Sequence, residues 1–200
     1  MILRKELKQN AKKQLQNHWG LSIGAIIVCM LISLIPELLV YIDPESAAIA
    51  ILITIISLVI AGPIAIGQCK FFINLSNREN PKISDLWFGF RNILRALGVT
   101  LLVGIAVFIG AIFLIIPGII VSFMYSQVYY IMAEHPEMSV IECLKESSRI
   151  MKGHKMELFI LELSFIGWII LTVITFGIAG LYVLPYYSAT LSNYYLTIKD

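Results

Sequence analysis

Residues 96–133 read ALGVTLLVGIAVFIGAIFLIIPGIIVSFMYSQVYYIMA, 38 residues with no Asp, Glu, Lys or Arg. As one helix this stretch would be roughly 55 Å long, against a bilayer hydrocarbon core of about 30 Å. It is therefore expected to fold back on itself. The break is expected at Pro117-Gly118, near its middle. Proline removes a backbone donor and disfavours helix in the residue before it, and glycine accepts turn dihedrals.

Working outward, three more stretches lack these charges: Trp19–Pro36, Ser46–Cys69 and Leu163–Ile198. The first two are each about one span long. The last holds 36 residues and carries Gly177-Ile178-Ala179-Gly180 near its middle, so it too is expected to turn back. The chain then reads as six membrane helices, at roughly 20–38, 47–69, 97–116, 118–134, 158–177 and 180–197. The fourth and sixth are short, which leaves tilt or a re-entrant hairpin open. The expected fold is an all-α membrane protein of about six transmembrane helices as three hairpins, with amphipathic interfacial helices on the cytosolic side. It forms a single polytopic domain over 1–200.

The composition agrees. Hydrophobic residues make up 58% and charged residues 14% of the 200. A soluble domain averages roughly 45–50% apolar and about 25% charged. Disorder, collagen, a secreted disulfide scaffold and an ordinary cytosolic enzyme are excluded. Cys29, Cys69 and Cys143 have no metal-like spacing and read as free thiols.

The net charge of +2 says little, but the distribution says much. Arg4, Lys5, Lys8, Lys12 and Lys13 precede the first span. Lys70, Arg78, Lys82, Arg91 and Arg95 lie between the second and third. Lys145, Arg149, Lys152 and Lys155 lie between the fourth and fifth, and Lys199 follows the sixth. All fall on one side of a six-span arrangement, whereas the first opposite loop carries Glu37, Asp43 and Glu45. The positive-inside rule places both termini in the cytoplasm of a multi-pass plasma-membrane protein. The long charged N-terminus, without an A-x-A-like site after the first span, reads as an anchor rather than a cleaved signal.

Three similar units follow, at about 1–75, 81–132 and 138–198. They close on the pairs Phe71-Phe72, Tyr129-Tyr130 and Tyr194-Tyr195. Pro81-Lys82-Ile83-Ser84 and Pro136-Glu137-Met138-Ser139 introduce the next unit, with Ser84 and Ser139 as expected helix caps and Glu142 at capping-box spacing. Helical stripes run through Leu3, Leu7, Ala11 and Leu15, through Leu86, Phe90, Leu94 and Leu97, and through Ile141, Leu144, Ser148 and Met151. These helices are expected in the inner interface, with Trp19, Trp87 and the tyrosine pairs in the aromatic belt. The repetition suits a pseudo-repeated scaffold, and equally any protein of helical hairpins.

Ionisable residues at membrane depth are costly and often functional. Glu162, about one turn into the fifth span, is either a cavity acid or, with Glu157, an interfacial one. Gln68, Asn74, Gln127 and Asn193 lie near inner helix ends, as a headgroup pocket or as interhelical hydrogen bonds. Lys145, Arg149, Lys152, His154 and Lys155 form a basic segment that could hold phosphate headgroups or simply obey the positive-inside rule. Gly20 and Gly24 have small-residue spacing at the membrane edge. His18, His135 and His154 are scattered, and no catalytic set, metal site or cofactor motif can be assembled. The basic residues spread along one membrane face, which argues against nucleic acid as a partner.

The opening Leu7-Lys8-Gln9-Asn10-Ala11-Lys12-Lys13-Gln14-Leu15-Gln16-Asn17-His18-Trp19-Gly20 resembles the N-terminal signature of bacterial integral membrane proteins catalogued as domain of unknown function 975. Gly62-Pro63, Phe88-Gly89-Phe90, Ile116 to Ile120, Glu146 to Lys155, Phe165 to Trp168 and Pro185-Tyr186 extend the resemblance over essentially the whole chain. That family has no established activity and occurs mainly in Gram-positive bacteria. It is similar at a distance to membrane regions of some glycerophosphodiester phosphodiesterases, which implies an envelope or lipid context. The expected function is non-enzymatic: binding of lipid or another amphiphile, or envelope homeostasis. Membrane lipids with anionic headgroups are the expected partners, and a homo-oligomer or membrane-protein partner is left open. The alternative is a small transporter or permease working as an oligomer. A membrane enzyme acting on headgroups comes third.

Overall fold

A computed structural model of the chain describes residues 4–113 and 115–199. Among them there are helices and turns but no strand. The order is α1 (Arg4–Leu15), α2 (Trp19–Leu34), a 3-10 segment (Pro36–Tyr41), α3 (Ala47–Ser76), a second 3-10 segment (Ile83–Asn92), α4 (Ile93–Phe113), α5 (Ile115–Met124), α6 (Val128–Glu134), α7 (Val140–Ile150), α8 (Lys155–Leu163), α9 (Ile166–Ile174) and α10 (Gly180–Ile198).

Among the described residues, five stretches are long and apolar enough to cross a membrane: Trp19–Tyr41, Ala47–Ser76, Ile83–Ile112, Ile116–Glu134 and Lys155–Ile174. At most 39% of the most apolar window of any of them is buried within the protein. Their apolar surface therefore faces outward, as a lipid solvent requires. The sixth expected helix exists as α10 but is not apolar enough to join the five. Tyr186, Ser188, Thr190, Ser192, Asn193, Tyr194 and Tyr195 face the protein interior, and α10 packs against α1, α2, α3 and α9. A central helix in a membrane bundle is shielded from lipid by its neighbours and can carry such groups when they find partners.

Several helix ends differ from the sequence expectation. Helix α3 starts at an N-cap, with Ser46 Oγ accepting from the Ile49 amide at 3.4 Å. It then runs past Lys70 to Ser76. The expected 118–134 helix is divided into α5 and α6, and the expected 158–177 helix into α8 and α9. Pro117 and Gly118, the expected fold-back, lie inside α5, which packs against α4. Pro117 lies in the first turn of α5, where a helix needs no N–H. Gly118 instead packs closely on Ala111 of the preceding helix. The second fold-back falls where expected. Gly177 donates to Thr172 O at 2.8 Å and Phe176 donates to Val173 O at 3.1 Å, a Schellman closure of α9. Phe176 carries the left-handed residue at φ 49 and Gly177 follows at φ 90. Phe176→Gly is expected to stabilise by about 1 kcal/mol and Gly177→Ala to destabilise by a similar amount, read as opposite shifts in thermal melting.

The three stripes fare differently. Leu7, Ala11 and Leu15 are buried, but against α10 and α3 rather than lipid; Leu3 lies outside the described residues. In the second, Leu86 is 3% exposed and Leu94 82% exposed, so the period of 3.6 fails. The segment is 3-10 as far as Asn92, and about three residues per turn put Leu86 and Gly89 on one face instead. In the third, Ile141 is exposed and the buried face is Cys143, Ser147 and Ile150. Ser147 Oγ donates to Met124 O at 2.9 Å, which draws that face inward.

The aromatic pairs also belong to the core rather than to an outer belt. Phe71, Phe72, Tyr194 and Tyr195 are fully buried, and Tyr130 stacks on Tyr195 at 5.2 Å. Burial of Tyr194 and Tyr195 is feasible because their hydroxyls donate to His154 O at 2.9 Å and Glu134 Oε2 at 2.7 Å. Trp87, by contrast, is exposed, and Trp19 stacks on Tyr182 at 4.5 Å.

Candidate functional site

Helix α7, which carries Lys145 and Arg149 of the basic segment, starts at a capping box. Ser139 Oγ accepts from the Glu142 amide at 3.3 Å, and Glu142 Oε2 accepts from the Ser139 amide at 2.7 Å. The Ser139 amide and hydroxyl hold the Glu142 carboxyl below its ordinary value. In the 3-10 segment the expected cap Ser84 is replaced in that role by Asp85. Asp85 Oδ2 accepts from the Lys82 amide at 2.9 Å and from Asn74 Nδ2 at 3.0 Å. A carboxylate reaches back to the turn's first amide where the shorter serine would not.

The five basic residues after Ser139 do not form one open patch. Arg149 forks onto Glu146 at 2.6 and 2.8 Å, which lowers the Glu146 carboxyl's proton affinity. His154 Nδ1 lies 2.9 Å from Glu157 Oε2. Lys145 and Lys152 are exposed and Lys155 is half-buried. Lys145 and Arg149 line a shallow cleft together with Glu137, Glu142 and Glu146, so acids alternate with the cations there.

The intramembrane polar residues likewise do not ring one pocket. Gln68 Nε2 donates to Ser188 Oγ at 3.1 Å, joining α3 to α10. Asn193 and Gln14 exchange two amide bonds of 2.8 and 3.0 Å, and Gln14 also donates to Ser76 O at 3.0 Å. This ties α1, α3 and α10 at one level. Gln127 is buried and donates to Ser126 Oγ at 2.8 Å, while its Oε1 has no partner among the described residues. Glu162, half-buried on α8, accepts from the Tyr187 hydroxyl at 3.4 Å.

One turn beyond Glu162 the helix is interrupted at Ser164-Phe165. There Lys8 of α1 donates to Ser164 O at 3.0 Å and lies over the Phe165 ring at 4.0 Å. A cation satisfies a carbonyl freed at the break. Burial lowers the proton affinity of this ammonium, and the neighbouring Arg4 and Lys12 lower it further.

Two clusters have no counterpart in the sequence reading. In the first, Glu134 accepts from Tyr195 Oη at 2.7 Å and from Lys199 Nζ at 2.6 Å, closing α6 onto the end of α10. The second centres on Arg95 in the first turn of α4. Its guanidinium donates to His135 O at 2.9 Å, to Pro136 O, and to Cys143 Sγ at 3.3 Å. Arg91, one turn earlier, lies over the Phe88 ring at 5.4 Å, and Lys70 approaches the same ring at 5.7 Å. The i, i+4 spacing of Arg91 and Arg95 was the available signal, but the positive-inside rule had already accounted for both.

Among the described residues no three His, Cys, Asp or Glu side chains are placed to hold a metal ion. No match was found among curated proteins or among solved structures. One family model does match, over residues 1–117 and again over 105–200, so that the two matches together span the chain. Its description is a protein of unknown function, and the chain belongs to that family, domain of unknown function 975.

Proposed function

We propose that this chain is a multi-pass bacterial plasma-membrane protein that binds anionic lipid headgroups at its basic face and catalyses no reaction. In this reading α10 is the sixth span, the helices pair as three hairpins, and both termini are cytoplasmic. The observation that carries it is the setting of the cations. Lys8, Lys12, Lys70 and Arg91 lie over the rings of Phe165, Tyr186 and Phe88. None of the four has a carboxylate within 4.0 Å among the described residues. Aromatic-backed cations without a paired carboxylate suit the headgroup layer, where each adds about 1 kcal/mol of attraction to an anionic surface. Protein purified in mild detergent is expected to retain a defined anionic lipid, identified by native mass spectrometry. Lipid-free protein, or equal retention of zwitterionic lipid, overturns the reading.

A second reading is a small transporter working as an oligomer. It is supported by the break between α8 and α9, with Glu162 beside it and Lys8 on its carbonyl. Discontinuous helices near an intramembrane acid recur at coupling-ion sites. Glu162→Gln is expected to abolish proton- or cation-coupled flux in proteoliposomes under this reading, and retained flux removes Glu162 from it.

A further inference from the structure

We propose that the cleft between α3, the 3-10 segment Ile83–Asn92, the start of α4 and α6 is a binding site for the phosphate of an anionic glycerophospholipid. The inference rests on the headgroup-binding reading above and gives it an address. The cleft has a volume of about 300 Å³, and its wall includes Ile66, Phe88 and Met132 on the apolar side and Arg91, Asn92 and Arg95 on the polar side.

Charge is the first argument. Lys70, Arg91 and Arg95 surround Phe88 and the cleft, and none has a carboxylate within 4.0 Å among the described residues. Arg95 is half-buried, its NH groups donate to two neutral carbonyls and a thiol, and its Nε is buried without a partner among the described residues. A positive charge partly removed from water and hydrogen-bonded only to neutral groups is incompletely compensated. Glu137 and Glu142 of the neighbouring loop feel this charge at a distance but form no ion pair with it among the described residues. Glu137 is engaged by His135 and Glu142 by the Ser139 amide, and both line the separate cleft beside Lys145.

Depth is the second argument. Trp87, 53% exposed, and Leu94, 82% exposed, flank Arg91 and Arg95 on the same segment. An outward tryptophan and leucine beside two arginines mark the boundary between headgroups and acyl chains. A phosphate at that level belongs to a lipid. Arg91, whose fork is free, is the residue that engages it, since a guanidinium matches two phosphate oxygens at once. Lys70 adds a point charge across Phe88. Arg95 supplies a stationary charge at the wall, and Ile66, Phe88 and Met132 bed the glycerol and the upper acyl chain.

The test is a native mass spectrometric titration of the full chain in mild detergent. The probes are phosphatidylglycerol, phosphatidylcholine and inorganic phosphate. The variants are Arg91→Gln, Lys70→Gln and the pair Lys145→Gln with Arg149→Gln. Arg91 and Lys70 make no side-chain hydrogen bond among the described residues, and unchanged melting temperatures confirm that their variants fold. Wild type is expected to prefer phosphatidylglycerol, Arg91→Gln to weaken it by about tenfold, and the Lys145/Arg149 pair to leave it unchanged. If the pair abolishes the preference while Arg91→Gln does not, the site is wrong although lipid binding stands. If wild type shows no preference, both the site and the headgroup reading fall. If inorganic phosphate binds through Arg91 and the lipid does not, the cleft serves free phosphate and the lipid assignment is overturned.

Discussion

Gly89→Ala is expected to destabilise the protein by about 3 kcal/mol or more, the upper end of what overpacking costs. A Cβ on Gly89 would stand 2.0 Å from the carbonyl oxygen of Pro63, and one on Gly67 would stand 2.0 Å from that of Leu86. In both cases the obstacle is backbone, so no rotamer change relieves it. Gly67→Ala is therefore expected to behave alike. The two glycines let the 3-10 segment lie directly on α3, its most extensive contact in the molecule. Gly104→Ala is the control: nothing lies within 4 Å of its Cβ position, and α4 is expected to gain about 1 kcal/mol. Thermal melting in one detergent separates these outcomes. A Gly89→Ala protein that melts like wild type would show that the 3-10 segment does not pack on α3 in this way.

Arg95→Ala is expected to cost about 2–4 kcal/mol, from the loss of charged hydrogen bonds and the stranding of two loop carbonyls. The same change loosens the loop from His135 to Cys143, because Arg95 hydrogen-bonds α4 to both of its ends. Cys143 reports this directly. Its thiol is fully buried, and burial raises its pKa while Arg95 pulls in the opposite direction. With Cys29 and Cys69 replaced by serine, maleimide labelling of Cys143 is expected to be slow in the parent and at least tenfold faster after Arg95→Ala. The factor corresponds to about 1.4 kcal/mol of easier opening. Arg95→Lys is expected to rescue little, since one ammonium cannot reproduce the fork onto two carbonyls and a thiol. Unchanged labelling in Arg95→Ala would remove Arg95 from the structural role given to it here.

Helix existence was legible from residues alone because it depends on local quantities. The four charge-free stretches, the cap at Ser139 with Glu142 and the left-handed turn at Gly177 each involve neighbours within a few positions. The same local reading misjudged Leu94, because a helical stripe assumes a period that the 3-10 segment does not keep. It placed the break at Pro117, because proline marks helix starts as well as stops. It assigned tyrosines to the membrane boundary, since side-chain chemistry suits that boundary and a buried, hydrogen-bonded core equally.

By itself, the sequence determined that this is an all-α chain with helices apolar enough to cross a membrane, and which family it belongs to. Those properties follow from composition and from spacing along the chain. Tertiary structure decided which polar groups meet. It joined Gln14 to Asn193, Glu134 to Lys199, and Arg95 to His135, Pro136 and Cys143. Among the described residues it also left Lys70 and Arg91 without a paired carboxylate while giving Arg149 one. The reason is physical. Pairing energies fall away within a few ångströms, so they depend on distances set by packing, and the close approach of backbones at Gly67 and Gly89 brings the 3-10 segment onto α3 and so sets the Arg91 cleft beside it.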